Sequence, residues 1–187
     1  MQACEQTPGQ SVWEHGESVR AYLLDLISPE PQLEWRLPDW LIHHKSDIIS
    51  RIHSLDILEQ YTLYHDCGKP RCLTIDAEGR SHFPDHARIS REVYIEHFPA
   101  DPTNHHSTVA DLIGWDMVVH TVTAKELDHY LRNEWSERDA FSLLLTAFAE
   151  VHSNAAMFGG ISSTSFKIKW KRICKRGKQI LRFYGLI

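Results

Sequence analysis

Apolar positions recur at three- and four-residue spacing through most of the chain, the mark of helices with one buried face. Val12 to Ile27 forms the first such segment and ends at Ser28-Pro29. A proline-rich stretch then leads to Leu37-Pro38-Asp39, where an early Pro and an acid in the first turn start a second helix over Trp40 to His53. A third runs from Asp56 to Asp66. Two short alternating runs between Arg71 and Phe83 flank Gly79 and predict a small β-hairpin. Helices follow over Asp85 to Phe98 and Thr108 to Val119, with Pro99 to His106 as a loop. Thr123 with Glu126 reads as a capped start to another. A helix starting at Ser136 or Arg138 and ending at Met157 is apolar around Phe141, Leu144, Leu145 and Phe148, hence buried. Phe158-Gly159-Gly160 closes it, and Ser165 to Tyr184 is the last helix. The pattern is that of an all-α bundle with one short hairpin. Without repeats, low-complexity tracts or a linker, it predicts a single domain over 1–187, with 1–10 flexible.

Composition adds limits. With 187 residues and a hydrophobic fraction of 42%, the chain can bury one good core. No apolar run reaches bilayer length, and Met1 to Glu5 has neither basic nor apolar character, so no membrane span and no secretory signal are expected. Cys4, Cys67, Cys72 and Cys174 show no Cys-x-x-Cys spacing, which favours reduced thiols and a cytoplasmic protein. Histidine is the outlier, at 13. His43-His44 and His105-His106 sit in polar surroundings and read as surface residues.

Charge is unevenly placed. Val151 to Ile187 holds eight Lys or Arg and no Asp or Glu, while the first 150 residues hold 12 basic and 25 acidic residues. An acidic body suits a cation site, and a basic terminal segment suits a phosphate-rich partner. In the final helix, Phe166, Trp170, Ile173, Gly177, Ile180 or Leu181, and Tyr184 form a core stripe, and Lys167, Lys169 and their basic neighbours cover the rest.

The densest chemistry lies at His65-Asp66-Cys67-Gly68-Lys69-Pro70. Adjacent His and Asp offer two metal ligands where a helix meets a Gly-Lys-Pro stop. Further candidates are His15, His86 (with His82 as a nearby competitor), His120 (with Asp116 a turn earlier) and, in Ala149-Glu150-Val151-His152-Ser153-Asn154, one of Glu150, His152 or Asn154. Helical bundles build metal centres from such inward-facing side chains on several helices. Imidazoles mixed with carboxylate suit one or two divalent transition metals, Mn, Fe, Co, Ni, Zn or Cu, rather than Ca or hydrated Mg. Such a centre lowers the pKa of bound water and neutralises charge on a phosphate under attack.

The order of these motifs, an early His, His-Asp-x-Gly-Lys, two later His and a late acid, resembles the HD superfamily of metal-dependent phosphohydrolases, over roughly Ser11 to Asn154. The resemblance implies an HD-type bundle with His15, His65, Asp66, His86, His120 and Glu150 as ligands. The family usually places Asp at the last position, where this chain has Glu150. It gives His65, Asp66 and Lys69 catalytic roles, and leaves Lys69, Arg88, Lys167 and Lys169 to bind substrate phosphate or strand. The Tyr64 to Pro70 run and Ile113 to Met117 are most similar to HD domains joined to polynucleotide kinases in bacterial RNA end healing. That likeness implies a phosphorylated nucleotide or RNA end as substrate, with 2′,3′-cyclic phosphodiesterase or 3′-phosphatase chemistry. The chain lacks a Gly-x-x-x-x-Gly-Lys-Ser/Thr loop, so any kinase or ligase would be a separate partner. An HD-type di-iron oxygenase would use the same ligands, and a non-catalytic RNA- or nucleotide-binding module is the third expectation.

Overall fold

The computed structural model describes residues 1–7, 9–98 and 105–187. It is all-α, with two small antiparallel strand pairs. The chain groups into two compact units. One comprises Met1–Arg20 and Leu55–Met117, the other Ala21–Ser54 and Val118–Ile187.

The first unit opens with β1 (Glu5–Thr7) paired to β2 (Gln10–Ser11), where the sequence predicts a flexible start. The backbone N–H of Val12 donates to the Cys4 carbonyl and ties this hairpin to α1 (Val12–Ile27), whose first half belongs to this unit. The unit continues with α3 (Leu55–Tyr64), α4 (Lys69–Cys72), the predicted hairpin β3 (Thr74–Ile75) and β4 (Ser81–His82), α5 (His86–His97) and α6 (His106–Trp115). The helix expected to reach Asp66 stops at Tyr64, so His65 and Asp66 lie in the turn between α3 and α4. Two glycines set close approaches here. A Cβ on Gly16 would lie 2.5 Å from the Leu63 carbonyl oxygen, and one on Gly68 would lie 2.3 Å from Ser90 N. These contacts hold α1 and the His65-Asp66 turn against their neighbours. Most of the loop expected at Pro99 to His106 falls outside the described residues. His106 itself is buried and stacks on Tyr94 at 5.3 Å, so it is not the surface residue its polar context predicts.

The second unit contains α2 (Asp39–Ile49), α7 (Val118–Thr121), α8 (Ala124–Asn133), α9 (Glu137–Ser153) and α10 (Thr164–Phe183). The single helix expected over Thr108 to Val119 is interrupted, since α6 ends at Trp115 and α7 starts at Val118. Capping boxes start α8 at Thr123 with Glu126 and α9 at Ser136 with Asp139. α9 is buried over nearly its whole length, as its apolar run predicts. α10 packs on α7, α8 and α9 through Phe166, Ile173, Gly177, Ile180 and Leu181. Among the described residues no helix is long and apolar enough to cross a membrane.

Candidate metal centre

In the first unit, three imidazoles and an ammonium converge on the Asp66 carboxylate. Gly16 lets α1 approach Leu63, which carries His15 to 3.5 Å (Nε2) from Asp66 Oδ2. His65 Nε2 lies 3.2 Å from the same oxygen, and His86 Nε2, at the start of α5, lies 3.7 Å from Oδ1. The His15 and His65 rings meet edge to face at 5.1 Å. His15, His65 and Asp66 are almost wholly buried, and His86 is partly exposed at the rim.

Two histidines have their orientation fixed from behind. His65 Nδ1 lies 2.7 Å from the Thr62 carbonyl, and His86 Nδ1 lies 3.0 Å from the Phe83 carbonyl. A carbonyl only accepts, so each Nδ1 carries a proton and each ring turns its Nε2 toward Asp66. This carbonyl-anchored imidazole is the arrangement by which proteins aim a histidine at a metal. Asp66 Oδ1 makes no hydrogen bond among the described residues, although the carboxylate is fully buried. A buried carboxylate oxygen without a hydrogen bond, with His86 Nε2 facing it and two more imidazoles at the other oxygen, is suited to a cation. The donor set of imidazoles and one carboxylate fits a divalent transition metal.

Lys69 supplies the positive charge that the protein itself provides. Its Nζ donates to Asp66 Oδ2 at 2.5 Å and to Gln6 Oε1 at 2.6 Å, and it lies over the Phe83 ring at 5.3 Å. Burial alone would raise the Asp66 pKa. The charges on His65 and Lys69, a hydrogen bond from His65 and the charge on His15 outweigh it and hold the carboxyl well below its usual range. Asp66 is therefore ionised and ready to ligate at neutral pH.

His82, the competitor for His86, is exposed on β4 and pairs with Asp76 at 2.8 Å, so it takes no part in this cluster. Arg88 is exposed and its guanidinium is held by Glu92 at 2.6 Å. Asp116 accepts the Tyr61 hydroxyl at 2.5 Å. Cys67 is no reactive thiol. It donates to the Ser90 carbonyl, and burial pushes its pKa up to about 12.

In the second unit, His120 on α7 lies beside Glu150 on α9, Nε2 to Oε2 at 2.9 Å, with both side chains mostly buried. Of the three candidates for the last ligand, His152 is fully committed to the protein. Its Nδ1 donates to the Phe148 carbonyl at 2.7 Å, and its Nε2 accepts the Arg36 backbone N–H at 3.0 Å. Asn154 is the C-cap of α9. Lys167 and Lys169 lie in the first turns of α10, Lys169 over the Phe158 ring at 5.0 Å.

Gln6 and the carbonyls of Thr62 and Phe83 are the parts of the first-unit cluster that sequence reasoning does not find. Gln6 enters through an unpredicted hairpin, and carbonyls carry no sequence signature. No family model matches this chain, and neither a curated protein nor a solved structure does.

Proposed function

We propose that the protein is a metal-dependent phosphohydrolase acting on a phosphoester of a nucleotide or an RNA end, of the 2′,3′-cyclic phosphodiesterase or 3′-phosphatase type. The observation that carries this reading is the buried Asp66 carboxylate, its Oδ1 without a hydrogen bond among the described residues, with three Nε2 atoms within 3.7 Å of its oxygens. His15, His65, Asp66 and His86 hold a divalent transition ion. When bound, that ion would supply a Lewis acid and a water acidified toward neutral pH. Lys69, already desolvated against Asp66, places a fixed positive charge at the cluster and suits an anionic oxygen of the substrate. This charge favours a phosphoester over the non-phosphate substrate of an oxygenase. The HD resemblance adds His120 and Glu150 to the expected ligands.

The test is hydrolysis of a 2′,3′-cyclic nucleotide, a 3′-phosphorylated RNA oligomer and a generic phosphodiester, with Mn, Ni or Co and with chelator, beside elemental analysis of the purified protein. Metal-dependent ring opening or phosphate release supports the reading. Stoichiometric iron without hydrolysis would replace it with an oxygenase. Neither metal nor turnover would leave a binding module.

A further inference from the structure

On other elements most arginines pair with acids: Arg71 with Glu96, Arg80 with Asp76, Arg88 with Glu92 and Arg91 with Asp111 in the first unit, Arg51 with Glu137 and Arg132 with Asp128 in the second. On α10 this stops. Lys167, Lys171, Lys175, Lys178 and Arg182 make no ion pair and no side-chain hydrogen bond among the described residues, and the segment offers no acid to any of them. At 100° per residue these five fall on one narrow face of the helix. Lys171, Lys175, Lys178 and Arg182 are exposed, and Lys167 is half-exposed.

The row steps by four, four, three and four residues, so a cation stands about every 6 Å along about 22 Å of helix. Each step also sets like charges at a spacing that destabilises a helix by roughly 0.2–0.5 kcal/mol. Folding therefore gains nothing from this arrangement. A polyanion with regularly repeated charges is its natural complement. A membrane surface is a poorer match. An amphipathic helix enters a bilayer through its apolar face, and that face of α10 is spent in the second unit. There the site of a Gly177 Cβ is only 2.4 Å from Trp40 Cη2, which locks the helix in place.

We propose that the outer face of α10 is a docking surface for the phosphate backbone of a nucleic-acid strand, read by charge and not by base. It needs no metal and stands apart from the hydrolase reading.

The test is fluorescence anisotropy of a labelled 20-nucleotide single-stranded RNA, and DNA of the same sequence, with the full chain in EDTA. Both strands should bind alike. With five contacts, log K should fall against log salt with a slope of about −3.5, or about 100-fold weaker binding between 50 and 200 mM salt. The triple variant K171Q/K175Q/K178Q should bind much more weakly, with a slope near about −1.4. The matching Lys→Arg triple should bind as wild type, which separates charge from folding. The proposal is overturned if wild type fails to bind RNA at low salt, if the Gln triple binds with unchanged affinity and slope, or if phosphatidylglycerol vesicles are bound and the oligonucleotides are not.

Discussion

Acid should unfold the second unit through a single buried imidazole. His152 is fully buried, 4.5 Å from the Trp35 ring and 5.1 Å from the Phe166 ring. Its Nε2 accepts the Arg36 N–H, so a proton there would set two donors face to face and break the link between residue 36 and α9. Burial pulls its pKa from 6.5 down to about 4. The folded form therefore binds this proton less readily than the unfolded one, and stability falls as pH drops. The contribution is whole above pH 6.5, declines between 6.5 and about 4, and is gone below that. At about 1.4 kcal/mol per pKa unit, the loss is about 3 kcal/mol, a large part of a typical domain's stability. The assay is urea unfolding followed by circular dichroism from pH 7.5 to 4, for wild type and His152→Gln. Gln keeps an acceptor for Arg36 but cannot titrate. The variant should be less stable at pH 7.5, because ring packing is lost, and should lose about 3 kcal/mol less on acidification. Parallel curves for the two proteins would refute the reasoning.

Three further outcomes follow from the same geometry. Gly68→Ala should cost about 3 kcal/mol, because its Cβ would meet the Ile89–Ser90 backbone at 2.3–2.6 Å, and thermal unfolding will show a sharply lowered midpoint. Asp66→Asn should cost roughly 3–5 kcal/mol in chelator, since it strands the buried Lys69 ammonium, and adding Lys69→Met should restore much of it. Additive losses in that double-mutant cycle would sink the idea of a coupled pair. Arg176→Met should cost about 1–3 kcal/mol by leaving the Val122 carbonyl without the guanidinium that caps it, read as a shifted urea midpoint with unchanged metal content.

The longer helices were legible because they have an apolar stripe and punctuation: Ser28-Pro29 after α1, Thr123 and Ser136 as caps, Gly159-Gly160 before α10. The hairpin around Gly79 was legible for the same reason. Glutamine, glycine and proline in the first ten residues gave no alternation, so the β1–β2 pair was not. Nor was the break at Trp115, which no Pro marks. In the candidate site, His15, His65, Asp66 and His86 could be named from spacing, since His at helix starts and ends around a His-Asp turn is a chemical pattern. What turns those rings toward Asp66 is backbone carbonyl, invisible in sequence. His152 shows the converse: its spacing suits a ligand, yet Trp35, Phe166 and the Arg36 amide make it a core residue.

The central claim, that the Asp66 cluster is a transition-metal centre, is tested most directly by counting metal per chain after loading with Mn or Ni and gel filtration. Wild type and His82→Ala should retain the same stoichiometric metal, because His82 faces Asp76. His86→Ala and His65→Ala should lose most of it while remaining folded. Wild type that retains no metal, or His65→Ala and His86→Ala that retain as much as wild type, would contradict the account.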